Sequence, residues 1–158
     1  MTTFKRNVLS DDKQKKAAEI LQSSLVTLID LALNLKQAHW NVVGPNFRSL
    51  HLQLDEIIVT VRAATDEIAE RIVTIGIAPD GRAQTITADT VLAEFATGFH
   101  QVPESVTAVA DPMKKAIDQL RDGIEKIGDV DPISEDLLIG ISSQLEKHLW
   151  MVQAQEVR

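Results

Sequence analysis

There is no cysteine anywhere in the 158-residue chain. That excludes disulfide staples, thiol catalysis, Cys-ligated zinc and iron–sulfur clusters, and leaves His, Asp and Glu as the strong metal-ligating side chains. Seven Gly and five Pro are few, so collagen-like and long low-complexity readings fall away. Aromatics are scarce as well: four Phe, two Trp and no Tyr. No uninterrupted apolar run approaches the ~18 residues of a membrane span. The opening Met1-Thr2-Thr3-Phe4-Lys5-Arg6 has no apolar stretch of the secretory kind, so a cytoplasmic protein without membrane contact is expected. What remains is 44% hydrophobic, enough for one domain with a substantial core.

Charge is uneven. Lys5, Arg6, Lys13, Lys15 and Lys16 against Asp11 and Asp12 make the first sixteen residues net +3, and the other 142 residues −10, within a total of −7. An acidic body draws cations and repels nucleic acid, while the basic start does the reverse. Residues 1–9 read as a short mobile arm and residues 10–158 as a single domain.

The apolar residues recur at helical spacing. Ser10 is a good N-cap, with Asp11 and Asp12 in the first turn of a helix that carries Leu21, Leu25, Leu28, Ala32, Leu35 and His39 on one stripe. Gly44-Pro45 ends it. A second helix, from about Asn46 to Ile75, carries Leu50, Leu54, Ile57, Val61, Thr65, Ile68, Ile72 and Ile75. Residues 77–102 show no sustained period and read as a long crossover with short helical pieces. Such a connection fits a four-helix bundle whose second and third helices run parallel. Pro103 opens a short helix to Ala110, and Asp111-Pro112 starts the third long helix, which ends at Gly128. The last helix runs from about Ser134 to Gln155. No strand pattern competes, and the fold class is all-α.

The histidines divide by their neighbours. His100 lies in the crossover with nothing chemical around it, and His148 on an apolar stripe reads as a hydrogen-bonded core residue. His39 and His51 stand five residues before and six after the Gly44-Pro45 turn, which brings them level on antiparallel helices. Asp55 is one turn beyond His51, and Asp66 with Glu70 forms a second i,i+4 carboxylate pair. Imidazole with carboxylate suits iron, manganese or zinc. The alternative is a solvated acidic face, with Arg62 and Arg71 placed to pair with some of these carboxylates. Asp55 and Asp66 project in nearly the same direction but lie about 16 Å apart along the helix. One metal centre therefore cannot use both pairs within one chain, whereas two chains across a two-fold axis can bring them together. The intrachain di-iron motif Glu-x-x-His is absent.

The run His39-Trp40-Asn41-Val42-Val43-Gly44-Pro45-Asn46-Phe47, followed by Leu50-His51, Asp55, Asp66 and Ala69-Glu70-Arg71, resembles the Dps family of mini-ferritins. Residues 145–151 resemble its last-helix signature. The resemblance implies a ferritin-like four-helix bundle with a short helix in the crossover between helices 2 and 3. It further implies a homo-oligomeric cage of twelve subunits that oxidises Fe(II), preferably with hydrogen peroxide, stores ferric mineral and protects against oxidative stress. Carried over by position, His39, His51 and Asp55 bind iron from one subunit, and Asp66 and Glu70 from its partner, in a two-metal ferroxidase centre. Trp40, and Trp150 after it, become candidate electron donors that quench one-electron oxidants. Asp129, Asp131 and Asp136 become candidate pore residues. DNA binding is the alternative function that the family offers. An arm with only Lys5 and Arg6, an acidic body and a C-terminus ending Glu156-Val157-Arg158 argue against it at physiological salt.

Overall fold

Steps of three and four between apolar residues resolve into four long helices in the computed structural model, which describes residues 4–156. They are α1 (Asp11–Asn41), α2 (Phe47–Thr74), α4 (Val102–Ile127) and α5 (Pro132–Gln153), with the short α3 (Ala83–Asp89) in the crossover. Helix α1 packs on α2 and α4, and α5 closes the ring by packing on both α2 and α4. The α1 stripe from Leu21 to His39 is buried throughout. So is the α2 stripe, except that Thr65 is half-buried and Ala64 fills the core position beside it. An 18-residue window of α1 is apolar enough by length and composition to cross a membrane, yet 61% of it is buried inside the bundle. Burial to that extent is that of a core helix of the bundle.

The connectivity is that of the ferritin-like bundle. Two-residue strands β1 (Val42–Val43) and β2 (His100–Gln101) pair in parallel, Val42 opposite His100. Each leads into a long helix, so α2 and α4 start at the same end of the bundle, as the long crossover requires. Gly44, at φ 102°, makes this junction possible: a Cβ there would lie within 2.4 Å of the Gln101 Oε1. Gln101 is itself engaged in a capping box with Glu104 at the start of α4. The crossover is pinned to α1 by Gln22, whose side chain exchanges two hydrogen bonds with the Asp80 backbone, and by the Thr90 hydroxyl donating to Asp30 at 2.6 Å.

Several boundaries differ from the sequence reading. Pro112 does not start a helix; it lies inside α4. The buried series Val106, Val109, Ala110, Met113, Ala116, Ile117 passes through it without a break in phase, and core packing overrides the local start signal. Helix α5 begins at Pro132 with Asp131 as N-cap, two residues ahead of Ser134. Ser10 is the N-cap of α1, but its hydroxyl makes no capping bond; the buried Gln14 instead donates from Nε2 to the Leu9 carbonyl at 3.0 Å. Leu9 packs against the core and Asn7 lies against Gly76, so the folded body reaches into the arm read as 1–9. Residues 1–3 of that arm, and residues 157–158, lie outside the described residues.

Candidate metal centre

The α1–α2 hairpin sets His39 and His51 face to face. Their rings stack at 3.7 Å between centroids with 20° between planes. Each uses Nδ1 to reach the backbone carbonyl of the other, both at 2.9 Å. A carbonyl oxygen only accepts, so both Nδ1 atoms carry a proton, and Nε2 is the nitrogen each ring has left for a metal. This is the arrangement in which an imidazole binds a metal through Nε2, and the ring orientation is already fixed.

Asp55 adjoins the pair, with Oδ1 3.4 Å from His39 Nδ1. The same oxygen accepts from Lys36 Nζ at 2.6 Å. That hydrogen bond, partly opposed by desolvation and reinforced by the fields of His39, Lys36 and His51, holds the Asp55 carboxyl below its ordinary range. The group is therefore an anion at neutral pH. Lys36 is the residue that sequence reasoning missed. It stands nine residues before Pro45 and Asp55 ten after, so the hairpin argument that paired the histidines also pairs these two.

Asp66 and Glu70 lie further along α2, both exposed, and among the described residues no ion pair holds either carboxylate. Nor do three or more His, Asp or Glu side chains gather around one point as a metal-holding group among the described residues. The five candidate ligands thus divide three and two within a chain. Their donor chemistry, two imidazoles and three carboxylates, fits a divalent iron substrate.

Arg71 departs from the expected pairing. It turns away from Asp66 and Glu70, donating from its guanidinium to Asp131 Oδ2 at 2.7 Å and to the Ser134 hydroxyl at 2.9 Å. The Ser134 hydroxyl in turn donates to Asp131. Asp131 is 3% exposed and is removed from the pore candidates, because its charge is already neutralised inside the bundle. Burial pushes its carboxyl up, but Arg71 and Ser134 outweigh that and leave it below the ordinary range. Asp129 and Asp136 are exposed. Trp40, next to His39, is 65% exposed with Lys36 Nζ 6.0 Å from its ring centroid; Trp150 is exposed too. The His100 ring packs edge-on against Phe95 and bonds the Ala96 carbonyl. His148 bonds Thr60 at 3.0 Å.

The ferritin-like domain family matches residues 18–157. The DNA protection during starvation protein of Mycolicibacterium smegmatis is 40% identical over 98% of this chain and 84% of its own length. The chain belongs to the Dps family. Among solved structures, a tetragonal form of Mycobacterium smegmatis Dps superposes with a TM-score of 0.93 at 40% identity, covering 98% of this chain and 94% of that one. Dps from Microbacterium arborescens in its high iron form superposes with a TM-score of 0.89 at 31% identity, over 95% and 98% of the two chains. Dps membership supports an iron-storage and DNA-protection role. It also explains why the crossover is kept long, since the Dps bundle is ferritin-like in its connectivity.

Proposed function

We propose that this Dps chain is a ferroxidase and iron-storage subunit whose active centre is completed only between two copies. His39, His51 and Asp55 of one subunit face the partner's Asp66 and Glu70 across a two-fold axis, giving two equivalent centres per interface. The observation that carries the reading is the imidazole pair. Reciprocal Nδ1–H bonds to backbone carbonyls fix the two stacked rings, with an anionic Asp55 3.4 Å from His39, while a second carboxylate pair stands unengaged by any cation among the described residues, about 16 Å away along α2.

Fe(II) is the substrate. The imidazoles position it, and the carboxylates lower the free energy of the ferric product more than that of Fe(II), because charge attraction grows with the ion's valence. With peroxide as oxidant, two Fe(II) each give one electron to one H2O2; the O–O bond breaks, two protons are taken up, and two waters leave with two Fe(III). Pairing the electrons at one centre avoids release of a hydroxyl radical. Trp40, beside His39 at the open edge, is placed to donate an electron if a one-electron oxidant escapes. Twelve such subunits form the cage that stores the mineral, and the exposed Asp129 and Asp136 line its cation entry. The protein acts in the cytoplasm, away from membranes. DNA is then protected chiefly by removing Fe(II) and peroxide together, and DNA binding is a weak, salt-sensitive secondary activity.

The test is to load the metal-free protein anaerobically with Fe(II), add peroxide at one per two Fe(II), and follow ferric absorbance and particle mass together. The reading expects stoichiometric oxidation with iron retained in a particle of about twelve chains. Iron oxidised no faster than in buffer, by an intact particle, would refute it.

A further inference from the structure

We propose that Lys36 is a resident cation of the proposed iron site: its ammonium holds Asp55 while the site is empty, and a divalent metal must displace it to bind. This deepens the ferroxidase reading and rests on it.

The two stacked imidazoles spend their Nδ1 hydrogens on each other's backbone carbonyls, so neither is the direct partner of the Asp55 carboxylate. Lys36 is that partner, at 2.6 Å and with its side chain only 24% exposed. It takes the oxygen, Oδ1, that also faces His39. A metal held by His39, His51 and Asp55 therefore meets a fixed positive charge at the carboxylate it needs, and that charge opposes it in two ways. Lys36 occupies an Asp55 oxygen, and it repels any second cation brought near. Both effects lower the affinity of the empty site for divalent metals.

The displaced ammonium also has a place to go. Lys36 Nζ already lies 6.0 Å from the Trp40 ring centroid, at the edge of cation–π range. Breaking the bond to Asp55 lets the Lys36 side chain settle on the indole face. No proton moves in the exchange: Lys36 stays an ammonium, Asp55 stays a carboxylate, and the metal takes the place of one in the coordination of the other. Lys36 is on this account a positioning and affinity-setting residue that does not touch the reacting oxygen.

The experiment uses Zn(II), which has no redox chemistry, on the full-length metal-free assembly, with Trp150→Phe as background so that Trp40 alone reports by fluorescence. Lys36→Met and Lys36→Gln are expected to tighten Zn(II) binding, each by roughly three- to tenfold, the effect of one like charge near a partly exposed site. Both should abolish the change in Trp40 fluorescence that Zn(II) produces with Lys36 present, and Lys36→Arg should keep it. In Asp55→Asn, Zn(II) binding should weaken, and adding Lys36→Met should then change nothing. If Asp55→Asn weakens binding while Lys36→Met leaves it unchanged or weakens it, Lys36 merely supports the site and the exchange is refuted. If Asp55→Asn binds Zn(II) like the parent, the site itself is misassigned, and the Lys36 role falls with it.

Discussion

Arg71 and Asp131 are sixty residues apart in sequence and share one buried hydrogen-bonded unit with Ser134. The unit ties the C-terminal turn of α2, which carries Glu70, to the turn between α4 and α5. Removing one partner of a buried pair leaves the other charge uncompensated, so Arg71→Met should cost about 3 kcal/mol of stability at neutral pH. The pH dependence gives the sign. With Arg71 present, the Asp131 carboxyl lies below its unfolded value, so its contribution is complete above the unfolded pKa and is lost as acid titrates it. Without Arg71, burial is opposed only by the Ser134 hydrogen bonds, so that carboxyl rises relative to the parent's and the loss of stability grows as pH rises. Urea unfolding at pH 5 and pH 7.5 checks this: the deficit of Arg71→Met should be larger at pH 7.5, and Asp131→Asn in the same chain should recover part of it. Equal deficits at both pH values would contradict the pairing. The juxtaposition of His39, His51 and Asp55 was legible in sequence because a hairpin about Gly44-Pro45 fixes their relative heights. The direction of Arg71 was not, since its i,i+4 neighbours offered plausible partners and only the tertiary fold brings Asp131 within reach.

The long helices could be read as elements from the period of their apolar residues, and α1 starts where Ser10 placed it. The third long helix was the exception. Asp111-Pro112 has the local chemistry of a helix start, yet α4 continues from Val102 to Ile127 because residues on both sides of Pro112 bury on one stripe. Pro112 leaves the Ala108 carbonyl without its usual helical donor. Replacing it with Ala restores that donor but relaxes the unfolded chain, so a net gain of about 1 kcal/mol is expected. Amide exchange at residues 109–116 should slow and thermal unfolding should move up. A faster exchange there would mean that the ring packs as a necessary part of the α4 surface. The β1–β2 bridge had no sequence signal at all, because two residues per strand are too few for an alternation to register.

At the scale of the whole molecule, the division of the five candidate ligands three and two, with Asp55 and Asp66 far apart on α2, is the central feature. It was visible in the sequence as an eleven-residue separation, and the folded chain keeps it. Large exposed side chains at Trp40, Phe47, Leu52 and Val59 lie on and around the hairpin that holds the histidines, as expected of a surface that a second copy covers. The clearest single measurement is therefore subunit complementation. Asp55→Ala and Glu70→Ala proteins, each alone, should lose peroxide-driven Fe(II) oxidation in intact particles. Dissociated, mixed one to one and reassembled, they should regain about a quarter of the parent rate, because half of the two-fold interfaces pair unlike subunits and each of those contains one intact centre. Recovery to that level, with mass spectrometry showing mixed particles, is the predicted result. Verified mixed particles that oxidise iron no faster than either variant alone would contradict the shared centre.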